Sequence, residues 1–145
     1  MKINQLSVFL ENKPGQLSEP CRALADAGVS ILTLSLADTD QFGIMRLIIR
    51  DWQKAKAVLE KAGCVVKVTE VVAIEVGDKP GGLADVLEAI EAADINIEYM
   101  YAFTFRRGDK AVLVFRFDDP DSAVKVLQDK GIGVIGGGDL YGRAQ

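Results

Sequence analysis

The chain repeats itself, and this constrains its fold more than any other feature. Lys13-Pro14-Gly15-Gln16-Leu17 returns 66 residues on as Lys79-Pro80-Gly81-Gly82-Leu83. Ala27-Gly28-Val29-Ser30-Ile31 returns at the same offset as Ala93-Asp94-Ile95-Asn96-Ile97. Val58-Leu59 and Gly63 return as Val126-Leu127 and Gly131, now 68 residues on. Blocks kept in one order mark a duplicated supersecondary unit. The change in offset implies one insertion, which we place in the loop around Arg106-Arg107-Gly108-Asp109. A chain of 145 residues has room for two small domains. We expect them at 1–69 and 70–145, meeting near Thr69–Glu70.

Each copy shows the same series of periodicities. Leu6, Val8 and Leu10 alternate with polar or mixed positions, which predicts a strand over roughly 2–10. Leu17, Cys21, Leu24 and Ala27 follow helical spacing, and Gly28 sits where a helix C-cap belongs. Val29 to Leu36 and Phe42 to Arg50 read as strands. Asp51 can cap a helix carrying Ala55, Val58, Leu59 and Ala62, closed by Gly63, with Cys64 to Val68 as the last strand. The second copy predicts a strand at 70–77, a helix at 80–93, strands at 95–105 and 110–117, a helix at 119–130 and a strand at 132–136. The order is βαββαβ twice. The fold class is therefore α+β: two ferredoxin-like units in tandem, each an antiparallel sheet with helices on one face.

No Gly/Ser/Pro linker separates the copies, since Cys64 to Val76 is one nearly unbroken β-prone run. Such a short, stiff join predicts a preset interface between the units. Several strands are apolar on both faces. Leu32, Leu34 and Leu36 oppose Ile31, Met45 and Leu47 alternate with Ile44 and Ile48, and Val112 and Val114 alternate with Leu113 and Phe115. Strands of that kind need a second packing surface, so we expect sheet-to-sheet packing within the chain or in a homodimer.

Composition removes whole classes of function. The chain has no histidine, which excludes Ser–His and Cys–His catalysis, His-ligated metals and a histidine pH switch. Lys+Arg is 17 against Asp+Glu 21, a net charge of -4 that argues against nucleic-acid binding. Cys21 and Cys64 form neither a CxxC pair nor a disulfide framework. No stretch is apolar for long enough to span a bilayer, and the N-terminus lacks the apolar core of a secretion signal. These features lead us to expect a cytoplasmic protein with no metal, no cofactor and no membrane or nucleic-acid partner.

The strongest local signal is the Pro-Gly-x-Leu turn, which stands twice between a strand and a helix. Pro14 and Pro80 fix φ at the helix start, where a missing N–H costs nothing. Gly15 and Gly81 carry no Cβ, so another group can approach the backbone. Asn12 and Asp78 stand two residues before each proline and can cap the turn. A helix N-terminus with an approachable backbone favours an anion such as a carboxylate.

Asn12-Lys-Pro-Gly-Gln-Leu17 and Asp78-Lys-Pro-Gly-Gly-Leu83 are each followed by a helix, then by Gly28-Val-Ser-Ile31 or Asp94-Ile-Asn-Ile97. This pattern resembles the ACT domain, a βαββαβ regulatory module that binds amino acids, and the resemblance covers essentially the whole chain as two tandem domains. In that family the ligand sits between paired domains. It touches the first strand-to-helix loop of one and the start of the second strand of another. The resemblance implies as ligand-binding residues Asn12, Gly15, Gln16, Leu17, Ser30 and Ile31 in copy one. In copy two it implies Asp78, Gly81, Gly82, Leu83, Asn96 and Ile97. Copy one departs from the family with Asn12 at the usually acidic position and Ser30 in place of Asn. Charge-assisted hydrogen bonds of about 1.5–3 kcal/mol each, set against an association cost of at least about 4 kcal/mol, predict roughly micromolar affinity. Gly81→Val is expected to block binding and leave the chain folded.

Other patterns have plainer readings. Gly131-Ile-Gly133-Val-Ile-Gly136 matches GxGxxG but follows a predicted helix and leaves too few residues for the helix and ribose-binding acid that a dinucleotide site requires, so the context is wrong. Asp118-Asp119-Pro120-Asp121 reads as a capped helix start rather than a metal site. Asp38-Thr39-Asp40 reads as a loop tip, and Arg106-Arg107 as a solvated turn. Tyr99, Tyr101, Phe103 and Phe105 continue the parity of Ile95 and Ile97, which predicts core or interface packing. Cys21 falls on the apolar stripe of a helix and reads as a structural thiol. The two units use all 145 residues, so we expect a non-enzymatic regulator with no attached catalytic domain. Its output would pass through its own oligomer, most simply a dimer, or through a separate partner enzyme. The alternatives are a small enzyme on a ferredoxin-like scaffold and a purely structural or interaction module. Asp78, Lys79 and Glu98 are candidate acids and bases for the enzyme, and none is paired at a compelling spacing.

Overall fold

A computed structural model describes residues 1–38 and 40–143. The elements run β1 Ile3–Glu11, α1 Ser18–Asp26, β2 Thr33–Asp38, β3 Phe42–Ile48, α2 Trp52–Lys61 and β4 Val65–Gly77. They continue with α3 Gly82–Ala92, β5 Ile97–Arg107, β6 Lys110–Phe117, α4 Pro120–Asp129, β7 Val134–Ile135 and α5 Gly137–Arg143. This is βαββαβ twice, with the β-prone run after Cys64 forming one strand, β4. Two compact units result: Asn4–Thr69, and Met1–Ile3 together with the residues from Glu70 onward.

In the first unit β3 pairs antiparallel with both β1 and β2, and β1 has β4 on its other side. The register sets Leu6 and Leu34 opposite Leu47, and Val8 and Leu36 opposite Met45. Residues paired in this way share a face. On that face Leu6, Val8, Met45 and Leu47 meet Leu24, Ala55 and Leu59 from α1 and α2 to form the core. Each of the leucine, valine and methionine side chains so buried stabilises by about 1.5–3 kcal/mol. Leu34 and Leu36 lie on the same face yet are 48% and 49% exposed, because β2 is the edge strand. Asp51 caps α2 by accepting from the Lys54 amide at 3.3 Å. Helix α1 begins only at Ser18, so Pro20 falls in its first turn, where its missing N–H breaks no intrahelical bond. Cys21 packs partly buried against this core. Asp38 ends β2; Thr39 lies outside the described residues.

The second unit repeats the order: β7 and β6 flank β4, and β5 pairs with β6. Val72, Ile74, Val76, Phe115 and Phe117 meet Val86, Ile90, Ala123 and Leu127 in its core. Ala73, Val112 and Val114, on the opposite face of these strands, are also fully buried. The first residues of the chain join this unit, with Lys2 Nζ 3.2 Å from Glu70 and 3.0 Å from Asp121. Asp119 caps α4, accepting from the Ser122 amide at 3.2 Å and its hydroxyl at 2.6 Å. These bonds hold its carboxyl below the usual aspartate range. The acidic run is thus a helix start, with Pro120 in its first turn.

Three local expectations are corrected. The two-residue insertion is absorbed inside β5 as a register shift between Ala102 and Arg106, rather than in the turn. A second irregularity between Ile97 and Tyr99 flips parity, so that Ile97 and Met100 pack on the helix-side core while Tyr101 pairs with Val114 on the other face. A short helix, α5, follows the GxGxxG stretch and buries Leu140 fully. Within that stretch Gly133 accepts from the Glu75 amide at 2.8 Å, which is a strand contact. The side chains of Phe105, Arg106 and Arg107 lie outside the described residues.

After α1, α2 and α4 the chain turns with a glycine at positive φ: Gly28, Gly63 and Gly131. After α3 the same conformation is taken by Asp94, at φ 56°. Left-handed backbone costs a residue with a Cβ about 1–2 kcal/mol, less for aspartate. Asp94→Gly is expected to raise stability by about 1 kcal/mol in urea unfolding; a fall would mean that the Asp94 side chain has a role that the turn does not explain.

Candidate functional site

The two Pro-Gly turns are built alike. In copy two the Asp78 amide donates to the Asp109 carbonyl at 3.1 Å, Gly82 N to Lys79 O at 3.1 Å, and Asp85 N to Gly81 O at 3.0 Å. In copy one Asn12 N donates to Gln41 O at 2.8 Å, Gln16 N to Lys13 O at 3.3 Å, and Glu19 N to Gly15 O at 3.1 Å. Gly15 and Gly81 both take left-handed backbone, φ 90° and 87°. The space beside Gly81 is open. Valine at Gly81 would therefore strain the turn through its backbone, which removes the expectation of a cleanly folded variant.

The copies diverge at the next residue. A Cβ on Gly82 would overlap the Gly77 carbonyl oxygen and lie 3.0 Å from its carbon. That close approach lets α3 begin at Gly82. In copy one Gln16 stands there, its Oε1 accepting from the Glu11 amide at 3.4 Å, and α1 starts two residues later than its counterpart. Leu17 and Leu83, one step on, are 45% and 37% exposed. Asn12 is exposed, and its Nδ2 reaches the Asp40 carbonyl at 3.5 Å.

The second group of residues lies elsewhere. Ser30 and Asn96 are exposed, while Ile31 and Ile97 are partly buried against their cores. Asn96 is held by its main chain: its amide donates to Asp118 Oδ1 at 3.2 Å, and its carbonyl accepts from the Asp118 amide at 3.1 Å. Because β1 and β2 are both antiparallel to β3, they run parallel. The turn after β1 and the approach to β2 therefore stand at opposite ends of the sheet. Helix α1 spans that distance, about 13 Å for its 9 residues. The same holds for β4 and β5 about β6. Within one unit, therefore, the structure does not bring the turn residues and the strand-start residues together.

Each group borders its own concavity. Gln16 lines a pocket of about 470 Å³ with Phe9, Phe42, Ile44, Val65 and Asp38 among its walls. Asn96 and Ile97 line a shallower one of about 370 Å³ with Ile90 and Glu91. Sequence reasoning missed Phe9, Phe42 and Val65. Their signal is the placement of large apolar residues at strand ends, 44%, 59% and 67% exposed.

Among the described residues no group of three or more acidic or cysteine side chains could hold a metal ion, and no helix is long and apolar enough to cross a membrane. Burial, reinforced by the nearby Glu19 carboxylate, pushes the Cys64 thiol above its ordinary value. The neutral thiol thus persists into alkaline solution, and its thiolate forms only as pH rises through that raised value. Iodoacetamide at pH 8 is expected to label Cys64 several-fold more slowly than glutathione, read by peptide mapping; an equal rate would contradict this environment.

A family model described as an ACT domain pair matches residues 1–142. No curated protein matches the chain. Among solved structures, protein BT0572 from Bacteroides thetaiotaomicron is 38% identical, with TM-score 0.90, over 97% of this chain and 96% of that one. The regulatory subunit of aspartate kinase from Thermus thermophilus, in its ligand-free form, is 16% identical with TM-score 0.63, over 87% and 91%. E. coli aspartokinase III, in complex with lysine and aspartate, is 17% identical with TM-score 0.54, over 89% of this chain and 31% of that one. At 16–17% identity the likeness is one of fold.

Proposed function

The chain belongs to the ACT domain family as a pair of such domains, and on that premise we propose that it is a non-enzymatic regulatory protein that binds a free amino acid. The observation that carries the reading is the turn built twice alike, each with a left-handed glycine opening the start of a helix. A helix start leaves N–H groups without intrahelical acceptors, and its dipole favours an anion. These groups take the α-carboxylate. Asp78, Asn12, Ser30 or Asn96 and loop carbonyls take the α-ammonium, while Gln16, Leu17, Gly82, Leu83, Ile31 and Ile97 flank the ligand. The E. coli relative, crystallised with two amino acids, lends the reading further support.

A turn at one end of a sheet and a strand start at the other cannot close on one small molecule. The missing half comes from another ACT domain in a homodimer, and the ligand favours one quaternary arrangement. The signal passes to a separate enzyme or through the oligomer itself, in the cytoplasm.

A thermal-shift screen of the twenty amino acids tests this. One or a few are expected to raise Tm saturably, since ligand at about 100 times Kd adds about 2.7 kcal/mol of stability. Silence in that screen and in calorimetry at millimolar ligand would overturn the reading.

A further inference from the structure

We infer that the pocket of the first unit receives an apolar side chain, so that the amino acid sensed there is branched-aliphatic or aromatic. This rests on the amino-acid-binding reading and adds to it the class of ligand.

The pocket, about 470 Å³, suits a small molecule. Phe9, Phe42, Ile44 and Val65 wall it, and three of these are 44–67% exposed. Large apolar groups gathered around one concavity gain by being covered. The rim carries the opposite chemistry. Asp38 and Glu11 bring carboxylates, and Glu11 is paired outside the lining with Lys13, Oε2 to Nζ at 2.9 Å. Carboxylates at the edge of an apolar hollow match the ammonium group of an amino acid with a greasy side chain.

The duplication supplies an internal control. In the first unit Phe9 pairs with Ile44 and Glu11 with Phe42. The equivalent rows in the second unit pair Glu75 with Val112 and Gly77 with Lys110. Glu75 thus stands where Phe9 does, and Lys110 where Phe42 does. The two make an ion pair, Nζ to Oε2, at 3.8 Å. Val65 corresponds to Gly133, which lies against the Glu75 side chain. One fold therefore accommodates either an aromatic wall or a charged bridge at this place, so the fold does not require the aromatics. Specialising the first unit for an apolar ligand accounts for them.

Isothermal titration of the full chain with leucine, phenylalanine, glutamate and lysine tests this, alongside Phe42→Ala and Val65→Asp. Both positions are exposed, and circular dichroism checks that each variant stays folded. Leucine or phenylalanine is expected to bind, and each substitution to weaken that binding by about tenfold or more. Saturable binding of glutamate or lysine alone would overturn the inference and leave the sensor reading standing. So would apolar binding that ignores both substitutions. Self-association lost in both variants on size-exclusion chromatography, with none of the four amino acids bound, would assign the surface to a second copy of the chain and overturn the inference, while the sensor reading would fall only with silence across all twenty.

Discussion

Gly82→Ala is expected to cost about 3 kcal/mol or more and to unfold much of the second unit at moderate urea. The added methyl has nowhere to go: its position overlaps the Gly77 carbonyl oxygen. That oxygen belongs to the backbone at the end of β4, where Gly77 pairs with Lys110, so it cannot swing aside as a side-chain tip would. Relief requires shifting either the strand end or the first turn of α3, and overpacking of this kind costs about 1–3 kcal/mol even where soft side chains give way. Gly81→Ala is the control, because its methyl meets open space and only the left-handed backbone, φ 87°, opposes it. The expected loss there is about 1–2 kcal/mol. Urea unfolding of the two variants side by side checks the order. Equal losses would show that conformation, rather than close approach, explains the paired glycines.

Phe115→Ala is expected to cost about 3–5 kcal/mol. Phe115 and Phe117 are fully buried and stacked, with centroids 5.5 Å apart and planes within 4°. Removing one ring opens a cavity under α3 and α4 and strips the other of its partner. Leu36→Ala provides the contrast: it lies on the helix-side face of its own sheet but is 49% exposed, so its loss should stay below about 1 kcal/mol. If denaturant midpoints put the two substitutions level, the second core is not packed as described.

Leu36 also shows where reading the sequence stops. Its alternation with neighbours gives a strand, but which face it occupies depends on the pairing of Leu36 with Met45. Tyr99 and Tyr101 show a related failure. Counting by twos from Ile97 puts them on the same face as Ile97, yet one irregularity in β5 reverses the parity. That irregularity has no local mark, because it reflects how β5 accommodates its partner β6. Helix α5 is illegible in the sequence for a different reason: Gly137-Gly138 has low helix propensity, and the burial of Leu140 that favours the helix is a tertiary contact. The candidate site was legible in part. Gly15 and Gly81 announce their turns because left-handed backbone is a local demand. Gly82 looks like one more turn glycine until Gly77 is seen against it.

From the residues alone came the duplication, the order of strands and helices, and the two glycine-opened turns. Those features rest on periodicity, capping and backbone sterics, which act over a few neighbouring residues. Only the folded chain decided that Phe9 and Phe42 share a hollow while Glu75 and Lys110 form an ion pair, and that each turn stands across its sheet from the strand start. Such neighbours are set by strand register and direction, which join residues far apart in the chain and leave no trace in any short stretch of it.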